Sequence, residues 1–273
     1  MGTLDALWHG RGQQVGLVAG TSDYAPGEVR LSFLVIDRAG KPVYRPRARV
    51  WLAPKLEAAP VEQTVAALEP IGVPGAVTDT DHVTHLYVAH LRVPQTGTWW
   101  VLARPDGAQI GAVGNLVVHA RAASPAVGSQ AYPSETPTLA SAHGNMAALT
   151  TRVPPDRRLL QYSIADSLRA HAPFVVVFAT PKFCASRTCG PVVDVVQAVA
   201  GKQAGRGVRF IHVEIYRDND PAKGENRWVR QWRLPSEPWT FLVGGDGRIK
   251  AKFEGSVSAA ELDTAVGAKL LRK

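Results

Sequence analysis

Residues 174–199 of the chain read FVVVFATPKFCASRTCGPVVDVVQAV. The first part, residues 174–179, is a short continuous apolar run, which is typical of a buried strand. The last part places valines at the i, i+3, i+4, i+7 spacing of a helix with one apolar face: Val192, Val195, Val196 and Val199. The stretch therefore predicts a strand that turns into a helix, with two cysteines in and directly after the turn.

Cys184 and Cys189 are the only cysteines in the chain, and four residues separate them. A thiol at the start of a helix meets free backbone N–H groups and the positive end of the helix dipole. This environment stabilises the thiolate over the thiol, which makes a cysteine reactive or metal-binding. The pair is therefore the first candidate for a chemical site.

The length, composition and net charge of the chain limit the class of protein. A chain of 273 residues with 45% hydrophobic and 20% charged residues is long enough for two folded domains and is not globally disordered. The formal net charge is +8, but the basic residues are scattered without a run of five, so we expect no nucleic-acid partner. No apolar run has the length of a transmembrane helix, so we expect no membrane span in this chain.

The N-terminal part, residues 14–120, has the pattern of an all-β domain. Val29, Leu31, Phe33 and Val35 alternate with polar residues, and turn sequences such as Pro105-Asp106-Gly107 separate six or seven short runs of this kind. This spacing predicts an immunoglobulin-like β-sandwich. The Ala- and Pro-rich segment Pro54–Asp81 is long for a loop of a sandwich and is expected either to pack on one edge or to move.

Residues 121–158 are rich in proline and lack a helix or strand period, so they are expected to form an extended linker. Residues 159–273 then alternate between strand and helix patterns. The order is helix, the strand 174–179, a helix from about Gly190, a strand at 208–216, a short helix at 225–233, a hairpin at 240–253 and a final helix opening at Ser258. This order predicts an α/β domain with a mixed sheet.

The order of elements from about Ser163 to Leu271 resembles the thioredoxin-like superfamily. The sequence Cys189-Gly190-Pro191 is similar to the front of that family's Cys-Gly-Pro-Cys motif, and Pro238 matches its cis-proline before the hairpin. The whole chain resembles two-domain thioredoxin-domain proteins of actinobacteria that carry an N-terminal immunoglobulin-like sandwich. Because many of these are exported, the resemblance implies an extracytoplasmic location.

The chain also departs from the family pattern. Val192 occupies the position of the second cysteine, so Cys184 would have to supply the second sulfur from the preceding loop. The strand 174–179 carries no acid where the family has a buried carboxylate. Glu237 precedes Pro238, and its anion would oppose thiolate formation if it lay close to the sulfurs.

The resemblance implies thiol–disulfide exchange with a protein partner and no cofactor. Cys189, nearest the helix start, is expected to attack and Cys184 to resolve, although the residues themselves leave the reverse order open. The resemblance further implies that Pro238, with its neighbours Glu237 and Trp239, shapes the groove for an extended substrate.

Two other functions remain open from the sequence. Cys184 and Cys189 with His212 form a soft ligand set similar to that of the copper-handling Sco group, although a hydrogen-bonded structural role for His212 is the more common situation. The other is a redox-silent adaptor. The start of the chain lacks a signal-peptide pattern, which predicts either a cytoplasmic protein or an exported one whose missing leader provides a membrane tether.

Overall fold

The computed structural model describes residues 2–10, 12–73 and 83–271. The chain divides into two compact units: Met1–Pro70 with Asp81–Ala122, and Ile71–Thr80 with Ala123–Lys273. Every helix among the described residues is too short or too polar to span a bilayer. The domain limits 14–120, 121–158 and 159–273 stay predictions.

The first unit is built from β-strands. Its elements are α1 (Leu4–His9), β1 (Gln13–Ala19), β2 (Gly27–Val35), β3 (Arg47–Ala53), β4 (Glu62–Pro70), β5 (His85–Val93), β6 (Gly97–Pro105) and β7 (Ile110–Val118). Hydrogen bonds join them into a closed barrel in the order β1-β2-β5-β4-β3-β6-β7. Neighbours are antiparallel except β1 and β7, which are parallel. The alternating apolar residues point inward, where Phe33 stacks on Tyr87 with ring centroids 5.3 Å apart.

The prediction of an all-β unit is confirmed, but closure into a barrel corrects the predicted sandwich of two separate sheets. Two strands account for the difference. Strand β4, inside the segment Pro54–Asp81, pairs with β3 and β5, and β1 pairs with β2 and β7. The strands are therefore joined at both edges, where a sandwich would keep two sheets apart. Residues 74–82 lie outside the described residues.

The second unit is a mixed α/β structure. Its elements are α2 (Ile164–Arg169), β8 (Phe174–Phe178), α3 (Cys189–Lys202), β9 (Arg209–Val213), α4 (Arg227–Gln231), β10 (Trp239–Val243), β11 (Ile249–Glu254) and α5 (Ala259–Lys269). The sheet order is β11-β10-β8-β9, with β9 parallel to β8 and β10 antiparallel to both β8 and β11. These directions and the order of the elements confirm the thioredoxin-like fold that the sequence predicts.

Strand β8 lies in the centre of this unit and is buried on both faces, which explains its continuous apolar sequence. Val175 and Val177 pack in the cluster that includes the valine face of α3. Phe174, Val176 and Phe178 pack on the opposite face, in the cluster that includes residues of α2 and α4. The strand therefore fixes the position at which the chain leaves the sheet toward the two cysteines.

Residues 123–158 of the predicted linker belong to the second unit. Ala131, Leu139 and Leu149 are buried there. Ser134 is buried as well, and its hydroxyl oxygen accepts a hydrogen bond from the indole N–H of Trp232 at 3.0 Å. This segment has few regular elements, but its side chains contribute to the core.

Candidate active site

The start of α3 is capped by a sulfur atom. Thr188 precedes the helix but makes no side-chain capping bond, and the backbone N–H of Cys189 donates instead to Sγ of Cys184 at 3.4 Å. The chain turns back to make this contact through a hydrogen bond from the N–H of Arg187 to the carbonyl of Cys184 at 3.2 Å. Arg187 has a φ of 58°, the left-handed conformation that closes the turn.

The loop segment directly before Cys184 is held by two contacts. The backbone N–H of Lys182 donates to Oγ1 of Thr151 at 3.1 Å, and that hydroxyl donates to the carboxylate of Glu214 at 2.8 Å. Phe183 packs edge-on against Tyr216, with ring centroids 6.4 Å apart. These contacts position the sulfur at the helix start.

Cys184 is half-buried and has the character of a thiolate. Its pKa is lowered to about 5, chiefly by a hydrogen bond from the thiol of Cys189, against the opposing effect of burial. The Ser186 hydroxyl, 3.2 Å from the sulfur, and the backbone N–H groups of Cys189 and Thr188 lower it further. Donors that point at the charged form favour it, so Cys184 is ionised at neutral pH.

Cys189 is fully buried and has the opposite character. Its pKa is raised because its thiol donates to Cys184, because burial disfavours its charge, and because the Cys184 thiolate repels a second anion. A hydrogen bond from the backbone of Thr180 opposes these effects. The pair therefore holds one proton, and the geometry places the thiolate on Cys184 and not on Cys189, the attacking cysteine expected from the sequence.

Glu237 is the third member of the site. Its carboxylate and the two sulfur atoms all lie within 4.8 Å of one another. Burial and the negative charge of Cys184 raise the pKa of this carboxyl to about 7, with smaller contributions from Glu214 and Glu225. Glu237 therefore lies close enough to the sulfurs for its anion to oppose thiolate formation, and a carboxyl reaches the sulfurs although β8 carries none.

The Glu237–Pro238 peptide bond is cis, as the family pattern predicts. Pro238 is buried, and its carbonyl accepts a hydrogen bond from the N–H of Gly255 at 2.9 Å. The substrate-docking role of Pro238 stays a prediction.

The side chain of Trp239 is buried, and the role of this residue in substrate docking stays a prediction that concerns its backbone. Trp239 is 1% exposed and stacks on Phe241, with ring centroids 5.6 Å apart. Its indole N–H donates to Oγ of Ser236 at 3.1 Å. The strand alternation that places residue 241 in the core places residue 239 on the same face.

His212 is buried and both of its ring nitrogens have partners. Nε2 lies 3.0 Å from the carbonyl oxygen of Ala179, to which it donates, and Nδ1 lies 3.2 Å from the hydroxyl of Thr150. Among the described residues, the cluster of metal-type donors around the two sulfurs contains Glu237 and not His212. The copper ligand set of Cys184, Cys189 and His212 is therefore not assembled, and His212 has the hydrogen-bonded structural role.

An open cleft of about 540 Å³ leads to Cys184. One side is formed by the loop between β8 and α3 (the cysteine loop, residues 179–188), including Lys182 and Arg187. Another side is formed by the first turns of α3, including Asp194. Arg152 also lines the cleft and binds Oδ1 of the buried Asp194 through Nε at 2.8 Å and Nη2 at 2.5 Å. Arg152 is not among the site residues that the sequence predicts, because it lies in the segment interpreted as a linker.

Comparison with protein families finds none that matches the chain. Comparison with curated proteins likewise finds no match. Among solved structures, the chain is similar to the crystal structure of a thiol:disulfide interchange protein of the thioredoxin family from Chlorobium tepidum TLS. The two are 16% identical, the TM-score is 0.30, and the match covers 36% of this chain and 80% of that one. This similarity is distant, and the strand order and directions are what identify the fold.

Proposed function

We propose that the second unit catalyses thiol–disulfide exchange on a protein partner, with Cys184 as the attacking sulfur and Cys189 as the resolving one. The observation that carries the proposal is the position of Cys184 Sγ. It lies at the N-terminus of α3, lines an open cleft, and is within 4.8 Å of the buried sulfur of Cys189. Exchange needs one accessible thiolate and a second thiol within reach, and these two sulfurs meet both conditions.

In the reducing direction, the Cys184 thiolate attacks one sulfur of the partner's disulfide. A mixed disulfide forms between Cys184 and the partner, and the second partner sulfur leaves as a thiolate. Cys189 then loses its proton, and its thiolate attacks Sγ of Cys184. The partner's remaining sulfur leaves, the Cys184–Cys189 disulfide forms, and two electrons have passed to the partner. The same steps in reverse oxidise a partner dithiol.

Glu237 is placed to accept the Cys189 proton in the second step. Its carboxylate oxygen lies within 4.8 Å of both sulfurs, and burial, the largest cause of its raised pKa, still acts on it in the mixed disulfide. When the Cys184 thiolate is consumed in the mixed disulfide, the charge that repels both Glu237 and a Cys189 thiolate disappears. The attack by Cys184 therefore prepares Cys189 for ionisation.

The cleft beside Cys184 favours a partner with acidic residues near its reactive sulfurs. Lys182 and Arg187 are exposed cations on the cysteine loop, and both line the cleft. Exposed charges of this kind mainly increase the rate of encounter with an oppositely charged partner. The extracytoplasmic location and a partner-positioning or tethering role of the first unit remain part of this proposal, supported by the resemblance alone.

Trapping variants test the order of attack. Cys189→Ser leaves the attacking sulfur without its resolving partner, so a disulfide-bonded peptide should accumulate as a stable mixed disulfide on Cys184, detected by mass spectrometry. The matched variant Cys184→Ser should trap almost nothing, because the remaining Cys189 is buried and its pKa is raised. Trapping by Cys184→Ser and not by Cys189→Ser would reverse the assignment.

Equilibration in glutathione buffers tests whether the pair exchanges at all. Free thiols counted by alkylation should rise from none to two over an accessible range of potentials. A pair that stays oxidised below about −300 mV would behave as a structural disulfide. That result, or unchanged biological activity in both serine variants, would instead support the redox-silent adaptor.

A further inference from the structure

The two cysteines and Glu237 bring two sulfur donors and one oxygen donor together. These three atoms lie within 4.8 Å of one another, at the inner end of a cleft that Cys184 lines. We infer that the reduced chain binds one Zn²⁺ ion through Cys184, Cys189 and Glu237, and that the disulfide form releases it. This inference goes beyond exchange activity and does not depend on it, because it needs only the reduced pair and the carboxylate.

The spacing of the donors fits zinc after a small adjustment. Zinc binds cysteine sulfur at about 2.3 Å and carboxylate oxygen at about 2.0–2.2 Å, usually with tetrahedral geometry. Two sulfurs bound at a tetrahedral angle are therefore about 3.8 Å apart, which lies within the 4.8 Å limit of the cluster. Three protein donors leave the fourth position for water or a thiol.

The types of donor select the ion. Two thiolates exclude Ca²⁺ and Mg²⁺, which require oxygen ligands. Cu(I) prefers soft sulfur donors, and the third donor here is a carboxylate oxygen, whereas His212 is held by hydrogen bonds to Thr150 and Ala179. Zn²⁺ is borderline in softness and accepts sulfur and carboxylate ligands in the same site. The combination therefore favours Zn²⁺ over the other common ions.

The surroundings support the ligands as well. The backbone N–H of Cys189 donates to Cys184 Sγ at 3.4 Å, and a hydrogen bond from the backbone of Thr180 favours the thiolate of Cys189. Such outer hydrogen bonds orient metal ligands and stabilise their charge. The fully deprotonated cluster carries three negative charges in a half-buried site, and a divalent cation neutralises two of them. The open cleft provides the entry path.

The experiment compares the reduced and the oxidised full chain in metal titrations. With Zn²⁺ and a chromophoric chelator as competitor, the reduced chain should bind one ion that the disulfide form does not bind. Co²⁺ as a spectroscopic probe should give sulfur-to-cobalt charge-transfer absorption and tetrahedral ligand-field bands. Zinc binding of equal tightness by the disulfide form, or absence of one-to-one binding by the reduced form, would overturn the inference.

Variants then test the third ligand. Glu237→Gln should weaken zinc binding by at least about tenfold, the lower end of what loss of even an outer-shell partner costs. The matched control is Glu225→Gln, which removes an exposed carboxylate that acts on Glu237 only through its charge. Equal affinities in these two variants, with circular dichroism confirming that both fold, would overturn the assignment of Glu237. A chain that binds zinc but fails to exchange disulfides would refute the proposed function and leave this inference standing.

Discussion

Replacing Cys189 with alanine should raise the pKa of Cys184 by about 1–2 units. The Cys189 thiol is the largest of the influences that lower that pKa to about 5. A hydrogen bond to a charged group contributes roughly 1.5–3 kcal/mol, and one pKa unit corresponds to about 1.4 kcal/mol. The variant should therefore ionise with a midpoint of about 6–7, still below the ordinary value because the Ser186 hydroxyl and the backbone donors remain.

The assay is alkylation of the reduced protein by iodoacetamide as a function of pH. Cys189 is fully buried, so the modified residue should be Cys184 in the unmodified chain as well as in the variant. The midpoint of the profile is the quantity to compare. The plateau rate is less suitable, since the nucleophilicity of a thiolate rises with its pKa and would partly offset the change.

Cys189→Ser is the matched control, because its hydroxyl keeps a donor at the same position. Its midpoint should stay near that of the unmodified chain. A midpoint near the ordinary cysteine value in the unmodified chain would refute the helix-start geometry. Identical midpoints in the alanine variant and the unmodified chain would show that the thiol is not the main donor.

Three further predictions concern stability. Arg152→Met should lower the free energy of unfolding by about 3–5 kcal/mol in urea titrations, because it leaves the buried Asp194 without its cation. The control Arg169→Met removes an exposed cation and should lower that free energy far less, so equal losses in the two variants would contradict the prediction. Val192 is buried on the inner face of α3, so Val192→Ala should lower the free energy of unfolding by about 2–3 kcal/mol. An unchanged thermal midpoint would mean that residue 192 is not packed. Folding favours the protonated form of Glu237, since its pKa is raised from 4.5 to about 7, so this stabilisation is complete below pH 4.5 and is lost as the pH rises through 7. The Glu237→Gln variant should not show this loss. A difference in free energy of unfolding between the variant and the unmodified chain that stays constant from pH 4.5 to 7 would refute this prediction.

The fold of the second unit is predictable from its sequence because burial on both faces leaves a clear signal. Strand β8 is a continuous apolar run, and the valine spacing of α3 marks the helix face that packs against it. Strand β4 was missed because its sequence, Glu62-Gln63-Thr64-Val65-Ala66-Ala67-Leu68, has only one fully buried residue, Ala66. A strand with so little buried surface has no marked apolar alternation, so closure of the barrel could not be predicted.

The sequence predicts the pair of cysteines, but it does not predict which of the two is the thiolate. The positions of the two sulfurs depend on a loop that turns back through the left-handed residue Arg187, and periodicity does not report such a turn. The proximity of Glu237 likewise depends on tertiary packing. The burial of Trp239 was available from the sequence, because it alternates in phase with Phe241 along β10.

The capping of α3 by Cys184 has a consequence for the direction of electron flow. The helix start stabilises a negatively charged sulfur, which exists only while the pair is reduced. Forming the disulfide removes that charge and with it the favourable interaction. This linkage shifts the balance toward the dithiol, so in the proposed exchange the protein should take electrons from its partner more readily than a cysteine pair with ordinary pKa values would.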